Sequence, residues 1–264
     1  MENIDDNSLQ EIFLECPERV EEMAVMNMKF RSIILSHPIL RIILEVGWCY
    51  EACCRFADLG ILDGLKYVQQ HGLNLNSAVV IAAARGGHID CLKYILENII
   101  QSAYWFDAFS TLGEALKSGH LECAHYVWKN YCPEVVDAYI IDSLSNDAVV
   151  GGNVKCLAFV VDVIGAQMND GCIYSAVHDD NYECYKYLVE HFDDEQSYIV
   201  AAECGKLDFM KCAFDLTHVC HSEAVARAIK NKHYDCALYA IKHGSLIPEK
   251  YIRWMEFMKL NPDI

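Results

Sequence analysis

A ten-residue pattern recurs seven times along this chain, and tandem repetition constrains the fold more strongly than any other feature of the sequence. Two clear copies read GHIDCLKYIL at 87–96 and GHLECAHYVW at 119–128. The fifth residue of the pattern falls at Gly64, Cys91, Cys123, Cys156, Cys184, Phe209 and Cys236, so successive copies are 25–33 residues apart. A period in this range indicates a solenoid, in which each unit buries its apolar face against its neighbours.

Each copy contains two predicted helices. In the second helix the apolar residues follow helical spacing, as in Ile89, Leu92 and Leu96, which indicates one apolar face. Upstream, short alanine-rich segments such as IAAAR at 81–85 and VARAI at 225–229 indicate a first helix that approaches its neighbours closely. A Gly or Asn between the two helices turns the chain. The sequence therefore predicts an all-α fold built from helical hairpins.

The second-helix pattern, Gly-His-hydrophobic-acidic followed by apolar residues, resembles the ankyrin repeat over roughly residues 52–247. This resemblance implies an ankyrin-type solenoid of about seven repeats. The Thr-Pro-Leu-His opening of the family's first helix is absent, and several copies are shorter than the family's 33 residues. We therefore expect the fingers between repeats to be reduced to loops. The shortened, cysteine-bearing form is similar to ankyrin proteins of large DNA viruses.

The residues before the repeats follow a different pattern. LQEIF at 9–13, a proline at 17 and KFRSIILSHPIL at 29–40 are together similar to an F-box, although the usual opening Leu-Pro is absent. This resemblance implies binding to the Skp adaptor of a cullin-RING ubiquitin ligase, with the solenoid selecting the substrate. The residues that it places near the adaptor are Leu9, Ile12, Phe13, Pro17 and Ile33.

An alternative for this segment is a three-helix cap, because a solenoid needs end units with a polar outer face. In both interpretations the predicted domains are the helical segment 1–46, the repeats 47–247 and a C-terminal capping helix at 248–264.

Charge and composition exclude several classes of partner. The chain carries 38 acidic and 21 basic residues, a net charge of −17, so a phosphate backbone would be repelled and nucleic acid is not an expected partner. We expect no signal peptide, because no basic segment precedes an apolar stretch near residue 1, and no apolar run reaches the roughly 20 residues that span a bilayer. We therefore expect no membrane partner and a cytoplasmic protein, in the host cytoplasm if viral, whose 14 cysteines stay reduced.

The motif most suggestive of a metal or catalytic site is His-x-x-Cys, which occurs at 88/91, 120/123 and 233/236. The three pairs occupy the same position in different repeats, and neighbouring helices pack about 8–10 Å apart, so they cannot converge on one zinc ion. We expect buried cysteines and histidines that cap the turns, with no metal, cofactor or catalytic residue. A second group, His218, Cys220 and His221, stays open as a weak metal site or an ordinary loop.

These observations favour a non-enzymatic protein-binding scaffold, with the F-box-type substrate receptor as the alternative. An enzyme would need a Cys and a His that meet in a cleft with a perturbed thiol. Candidate partner contacts are Tyr104, Trp105 and Phe106, for which packing against the next repeat is the alternative. Candidate recognition stretches are the connections at 73–78, 101–107, 133–138, 166–171 and 193–198.

Overall fold

A computed structural model describes residues 6–15, 17–20, 24, 32, 34–101, 107–133, 136–192 and 195–252. Within these ranges every regular element is a helix, and no strand occurs. The predicted all-α fold class is therefore confirmed. The described connections at 71–76 and 218–221 contain no regular element beyond turns, as expected for reduced fingers.

The chain divides into two compact units, Met1–Cys132 and Pro133–Ile264. We number the described helices in chain order. The first unit contains α1 (Asp6–Glu15), a 3-10 turn (Pro17–Arg19), α2 (Pro38–Val46) and three hairpins: α3/α4 (Tyr50–Asp58, Leu62–Gln70), α5/α6 (Ser77–Gly86, Ile89–Gln101) and α7/α8 (Ala108–Lys117, Leu121–Tyr131).

The second unit contains four hairpins and a final 3-10 turn, Glu249–Tyr251. The hairpins are α9/α10 (Ala138–Val150, Val154–Phe159), α11/α12 (Asp170–His178, Tyr182–Phe192), α13/α14 (Glu195–Glu203, Leu207–Thr217) and α15/α16 (Ser222–Lys230, Tyr234–Lys242). A π-helical turn, Val160–Ile164, extends α10. The described part of the chain thus holds seven hairpins, which we call repeats 1–7, and this confirms the predicted solenoid of about seven repeats.

The N-terminal segment packs against repeat 1. Helix α2 begins at Pro38, where the missing N–H of proline costs no helical hydrogen bond, and it buries Leu40 and Ile43 against α3. The hydroxyl of Tyr67 in α4 donates to the carbonyl of Leu14 and so ties α1 to the same repeat. The predicted boundaries at 46/47 and 247/248 stay predictions.

Each first helix ends in a tight turn that leads directly into the second helix. In repeat 2 the N–H of His88 donates to the carbonyl of Ala83, and the N–H of Gly87 donates to that of Ala84. This is the Schellman arrangement, which needs a left-handed residue just after the helix. The residues in that conformation are Gly60, Gly87, Gly119, Gly152, Asp180, Gly205 and Lys232, one for each repeat.

The same turns also connect one repeat to the next. A Cβ atom added to Gly87 would lie 2.3 Å from Nδ1 of His120, and one added to Gly60 would lie 2.4 Å from Nδ1 of His88. Gly205 and His233 repeat this arrangement in the second unit. The glycines therefore serve two purposes, because they adopt a positive φ and leave room for an imidazole ring from the following repeat.

At two junctions between repeats this contact is formed by other residues. Asn181 replaces the histidine opposite Gly152, and its side-chain amide donates to the carbonyls of Val149 and Val150 at 2.8 and 3.1 Å. Where Asp180 replaces the glycine, the following repeat presents Lys206, whose ammonium pairs with the Asp180 carboxylate. The first case changes only the histidine, whereas the second changes both partners to residues of opposite charge.

Candidate binding surface

The first helices of the repeats form a row within each unit. In the second unit, α9, α11, α13 and α15 pack in succession, and small apolar side chains such as Ala148, Ala176 and Ala202 are buried between them. Alanine at these places allows the close approach that stacking requires. On first helices such as α9 and α11 the residues on the opposite side point to solvent, and we call this side the first-helix face. Helix α13 is an exception, because its residues 197–202 are all buried.

Helix α9 exposes an unusual stripe on its first-helix face. Tyr139, Asp142, Ser143 and Asn146 are all exposed and follow the spacing i, i+3, i+4 and i+7, which places them on one side of the helix. The Tyr139 side chain is 83% exposed, the highest value among the described large hydrophobic residues. An aromatic ring left in water in this way contributes little to the fold.

Helix α11 repeats this arrangement one step along the row. Asp170, Tyr174 and His178 are exposed at four-residue intervals. The ring of Tyr174 is half exposed and stacks on His178, with centroids 6.1 Å apart and planes 19° from parallel. Nδ1 of His178 lies 3.0 Å from the carboxylate of Asp179.

Hydrogen bonds join the two stripes. The Ser175 hydroxyl donates to the Asn146 side-chain oxygen at 2.7 Å, and the Asn169 amide lies 3.4 Å from Asp142 Oδ1. The two helices therefore present one continuous surface. We call it the tyrosine face and define it by Tyr139, Asp142, Asn146, Asp170, Tyr174 and His178.

The charge around this face is strongly negative. Residues 133–195, which include repeats 4 and 5, contain 13 Asp and Glu but only two Lys and no Arg. Residues 196–264 contain eight acidic and nine basic residues. The acidic excess of the second unit is thus confined to the half that carries the tyrosine face.

Repeats 6 and 7 present a different surface. A cleft of about 400 Å³ is lined by Glu203, Glu223, Ala226, Arg227, Lys230, Lys250 and Tyr251. The Arg227 guanidinium donates to both Glu203 and Glu223. The hydrogen bond from Arg227 lowers the pKa of the Glu223 carboxyl below its usual value. Arg227 and the two glutamates thus pair with one another. The other charged side chains of the lining, Lys230 and Lys250, are cationic.

The first unit also lacks a counterpart of the tyrosine face among its described residues. Tyr50 in α3 is 61% exposed, but Arg55 and Arg85 also lie on these first helices, and Arg85 pairs with Asp58 at 3.0 Å. The charges there are mixed and partly paired.

The repeated cysteines lie in the core. Cys91, Cys123, Cys156, Cys184 and Cys236 are at most 1% exposed, in agreement with their predicted place on the apolar helix face. Burial raises the pKa of each of these thiols to about 11 and that of Cys53 to about 12. Such thiols are protonated at neutral pH and react slowly as nucleophiles.

No group of three His, Cys, Asp or Glu side chains is arranged to hold a metal ion in the described part of the chain. For His218, Cys220 and His221 the sequence left a weak metal site and an ordinary loop as alternatives, and the described contacts of Cys220 and His221 are those of a loop. The Cys220 thiol donates to the carbonyl of His243, and Nδ1 of His221 accepts the N–H of Glu223 as an N-cap of α15.

The predicted partner-binding residues are placed as follows. The Phe13 side chain is 2% exposed and Pro17 is also buried. Leu9 and Ile12 belong to α1, but their side chains lie outside the described residues, as do Ile33, Tyr104, Trp105 and Phe106 in full.

Sequence reasoning missed Tyr139 and Tyr174. A signal was present in the local charge imbalance of 133–195 and in the placement of each tyrosine on a stripe of otherwise polar residues. The predicted stretches 133–138 and 166–171 directly precede or begin the two helices that carry this face.

The fold is that of an ankyrin-repeat solenoid. The chain is similar in structure to the ankyrin repeat domain of human ASB11, with a TM-score of 0.53 over 71% of this chain and 96% of that domain. The sequences are 18% identical, so the likeness concerns the fold alone. No protein-family model matches the sequence, and no curated protein does. No described helix is both long and apolar enough to cross a bilayer.

Proposed function

We propose that this protein is a non-enzymatic scaffold that binds another protein through the first-helix faces of its repeats. The observation that carries the proposal is the tyrosine face, where two exposed aromatic rings lie on adjoining helices within a polar surround. Tyrosine is enriched in the energetically dominant centres of protein interfaces, because binding removes a large apolar area of its ring from water while its hydroxyl can still form a hydrogen bond.

The chemistry of the interior supports a binding role over catalysis. Burial raises the pKa of thiols such as those of Cys123 and Cys156, which keeps them protonated at neutral pH. The acidic side chains that line the described cleft of repeats 6 and 7 are paired with Arg227.

Site-specific photo-cross-linking tests the proposal. The photoreactive residue p-benzoylphenylalanine is placed at position 139 or 174 in the full chain, in cells that express it. Asp63, whose side chain is 89% exposed in the second helix of repeat 1, is the control position. We expect a discrete adduct with one protein from positions 139 and 174 and none from position 63. Identical adducts from all three positions, or none from any, would contradict the proposal.

The finer role of substrate receptor for a ubiquitin ligase stays a prediction. Burial of Phe13 and Pro17, together with the hydrogen bond from Tyr67 to Leu14, supports the capping alternative for the N-terminal segment. Co-purification with the Skp adaptor decides between them. A receptor would bind it at micromolar concentration and lose it in a Leu9→Ala/Ile12→Ala variant, whereas a cap would not bind it.

The proposed compartment is the cytoplasm. The 13 described cysteines are all unpaired by disulfides, which supports a reducing environment.

A further inference from the structure

We infer that the tyrosine face binds an arginine-rich segment of the partner polypeptide. The inference rests on the proposed scaffold function and names the chemistry of the partner at one surface.

The aromatic rings supply the first part of the recognition. A guanidinium group stacks on the face of a tyrosine ring and is attracted by its quadrupole. Tyr139 and Tyr174 are exposed by 83% and 50%, so both rings have surface available for such stacking. The fold already contains a related contact, since the Lys93 ammonium lies 5.5 Å from the ring centroid of Tyr126.

The carboxylates supply the second part. Asp142 and Asp170 are exposed beside the two tyrosines, and neither α9 nor α11 contains a lysine or an arginine that could neutralise them. A planar guanidinium donates two parallel hydrogen bonds to a carboxylate, whereas a lysine ammonium acts as a point charge. The combination of a ring and a carboxylate on each helix therefore favours arginine over lysine.

The charge pattern of the second unit also limits the extent of the contact. Arg227 is paired with two glutamates in the cleft of repeats 6 and 7, but Lys230 and Lys250 also line it and would repel a cationic segment that extended so far. The contact is thus restricted to repeats 4 and 5. Adjacent helices lie roughly 10 Å apart, so an extended segment of about six residues, at roughly 3.3 Å each, is long enough to cover both stripes.

Calorimetric titration of the full chain with synthetic peptides tests the inference. The probes are an acetylated, amidated (Gly-Arg)4 peptide and its (Gly-Lys)4 and (Gly-Glu)4 counterparts. We expect the arginine peptide to bind at least threefold more tightly than the lysine peptide, and the glutamate peptide not to bind. Raising the salt concentration should weaken the binding of the arginine peptide, because part of the attraction is between exposed charges.

Matched variants locate the site. Tyr139→Ala/Tyr174→Ala should weaken binding of the arginine peptide at least tenfold, and Asp142→Asn/Asp170→Asn should reduce both its affinity and the salt dependence. Tyr50→Ala removes an exposed tyrosine from repeat 1 and should leave binding unchanged. Circular dichroism and melting temperature confirm that each variant is folded.

Three outcomes would overturn the inference: no binding at millimolar peptide, equal weakening by Tyr50→Ala and the double tyrosine variant, or equal affinity for the arginine and lysine peptides. The cross-linking experiment separates this failure from that of the scaffold proposal. A discrete adduct whose cross-linked segment lacks arginine would remove the inference and keep the scaffold, whereas the absence of adducts would remove the scaffold.

Discussion

The turns between paired helices and the first-helix faces differ in how far they repeat. All seven turns contain one left-handed residue, and a side chain of the following repeat packs against or pairs with that residue wherever the contact is described within a unit. The first-helix faces, in contrast, change from mixed charge in repeats 1–3 to acidic tyrosine stripes in repeats 4 and 5 and to a cationic cleft in repeats 6 and 7.

This difference separates the residues that hold the stack from those free to specify a partner. Stacking imposes the same geometry at every interface, so the same chemistry is retained there. A surface that contacts only solvent in the free protein has no such requirement, and its composition can follow a partner. The comparison predicts large effects on stability for the repeated positions and small ones for the tyrosine face.

The largest effect is expected from alkaline titration of the buried cysteines. Their folded-state pKa values are about 11 or 12, against 9.0 for a free thiol. Below pH 9 both states are protonated and the stabilisation is complete; above it the unfolded chain ionises first, so stability falls as pH rises towards 11. We expect the free energy of unfolding, measured with denaturant under reducing conditions, to drop by roughly several kcal/mol between pH 8 and pH 10.

A Cys91→Ala/Cys123→Ala variant provides the control for that titration. Its stability at pH 8 should be lower, but its free energy of unfolding should decline less steeply with pH. An unchanged slope would show that the thiols of Cys91 and Cys123 do not contribute to the alkaline loss.

Gly87→Ala tests the contact between repeats. Gly72 is the matched control, because its φ is +89° and an added Cβ would have no atom within 4 Å, whereas at Gly87 it would meet the His120 ring. Gly72→Ala should cost about 1–2 kcal/mol for the left-handed backbone. Gly87→Ala should cost about 1–3 kcal/mol more, because of the steric overlap. Equal losses in denaturant unfolding would contradict a role for the imidazole contact.

Lys232→Gly should stabilise the protein. Lys232 has a φ of +68°, a conformation that costs a side-chain-bearing residue free energy. After the added flexibility of glycine in the unfolded chain is subtracted, the gain should be about 0.5–1 kcal/mol. A rise in the denaturation midpoint without a change in slope is the expected result, and a loss of stability would mean that the lysine side chain makes a stabilising contact.

Tyr139→Ala should have the smallest effect on the fold. The ring is 83% exposed, so the free energy of unfolding should change by less than about 0.5 kcal/mol. A loss above about 1 kcal/mol would break the comparison, because the tyrosine face would then belong to the part of the molecule that holds the stack.

The sequence predicted the repeated part of this molecule well. The pattern around Cys91 and Cys123 predicted the second helices and their buried face, because each requirement is repeated and so visible in one sequence. The capping role expected for the histidines was wrong, since the His120 side chain makes no cap hydrogen bond and packs against Gly87 instead. The left-handed conformations of Asp180 and Lys232 could not be seen in this way, since the glycine that normally marks the position is replaced there.

The candidate surface was harder to predict for the same physical reason. An exposed tyrosine such as Tyr139 has no periodic signature, and helical spacing alone does not distinguish it from a buried aromatic residue. The structure adds the side of the helix on which it lies and the neighbour that adjoins it.

The pairing of Asp180 with Lys206 has a consequence for how such a chain can be lengthened or reordered during evolution. Repeats whose turn contains a glycine followed by a histidine, such as Gly87 and His88, are interchangeable at this contact. One of them could therefore be duplicated in tandem without a clash. Repeat 5 is not equivalent, because placing it directly before repeat 7 would set the Asp180 carboxylate against the position of the His233 ring. Exchanges of whole repeats are therefore tolerated only where the following unit presents a compatible side chain, which preserves the order of units around the tyrosine face.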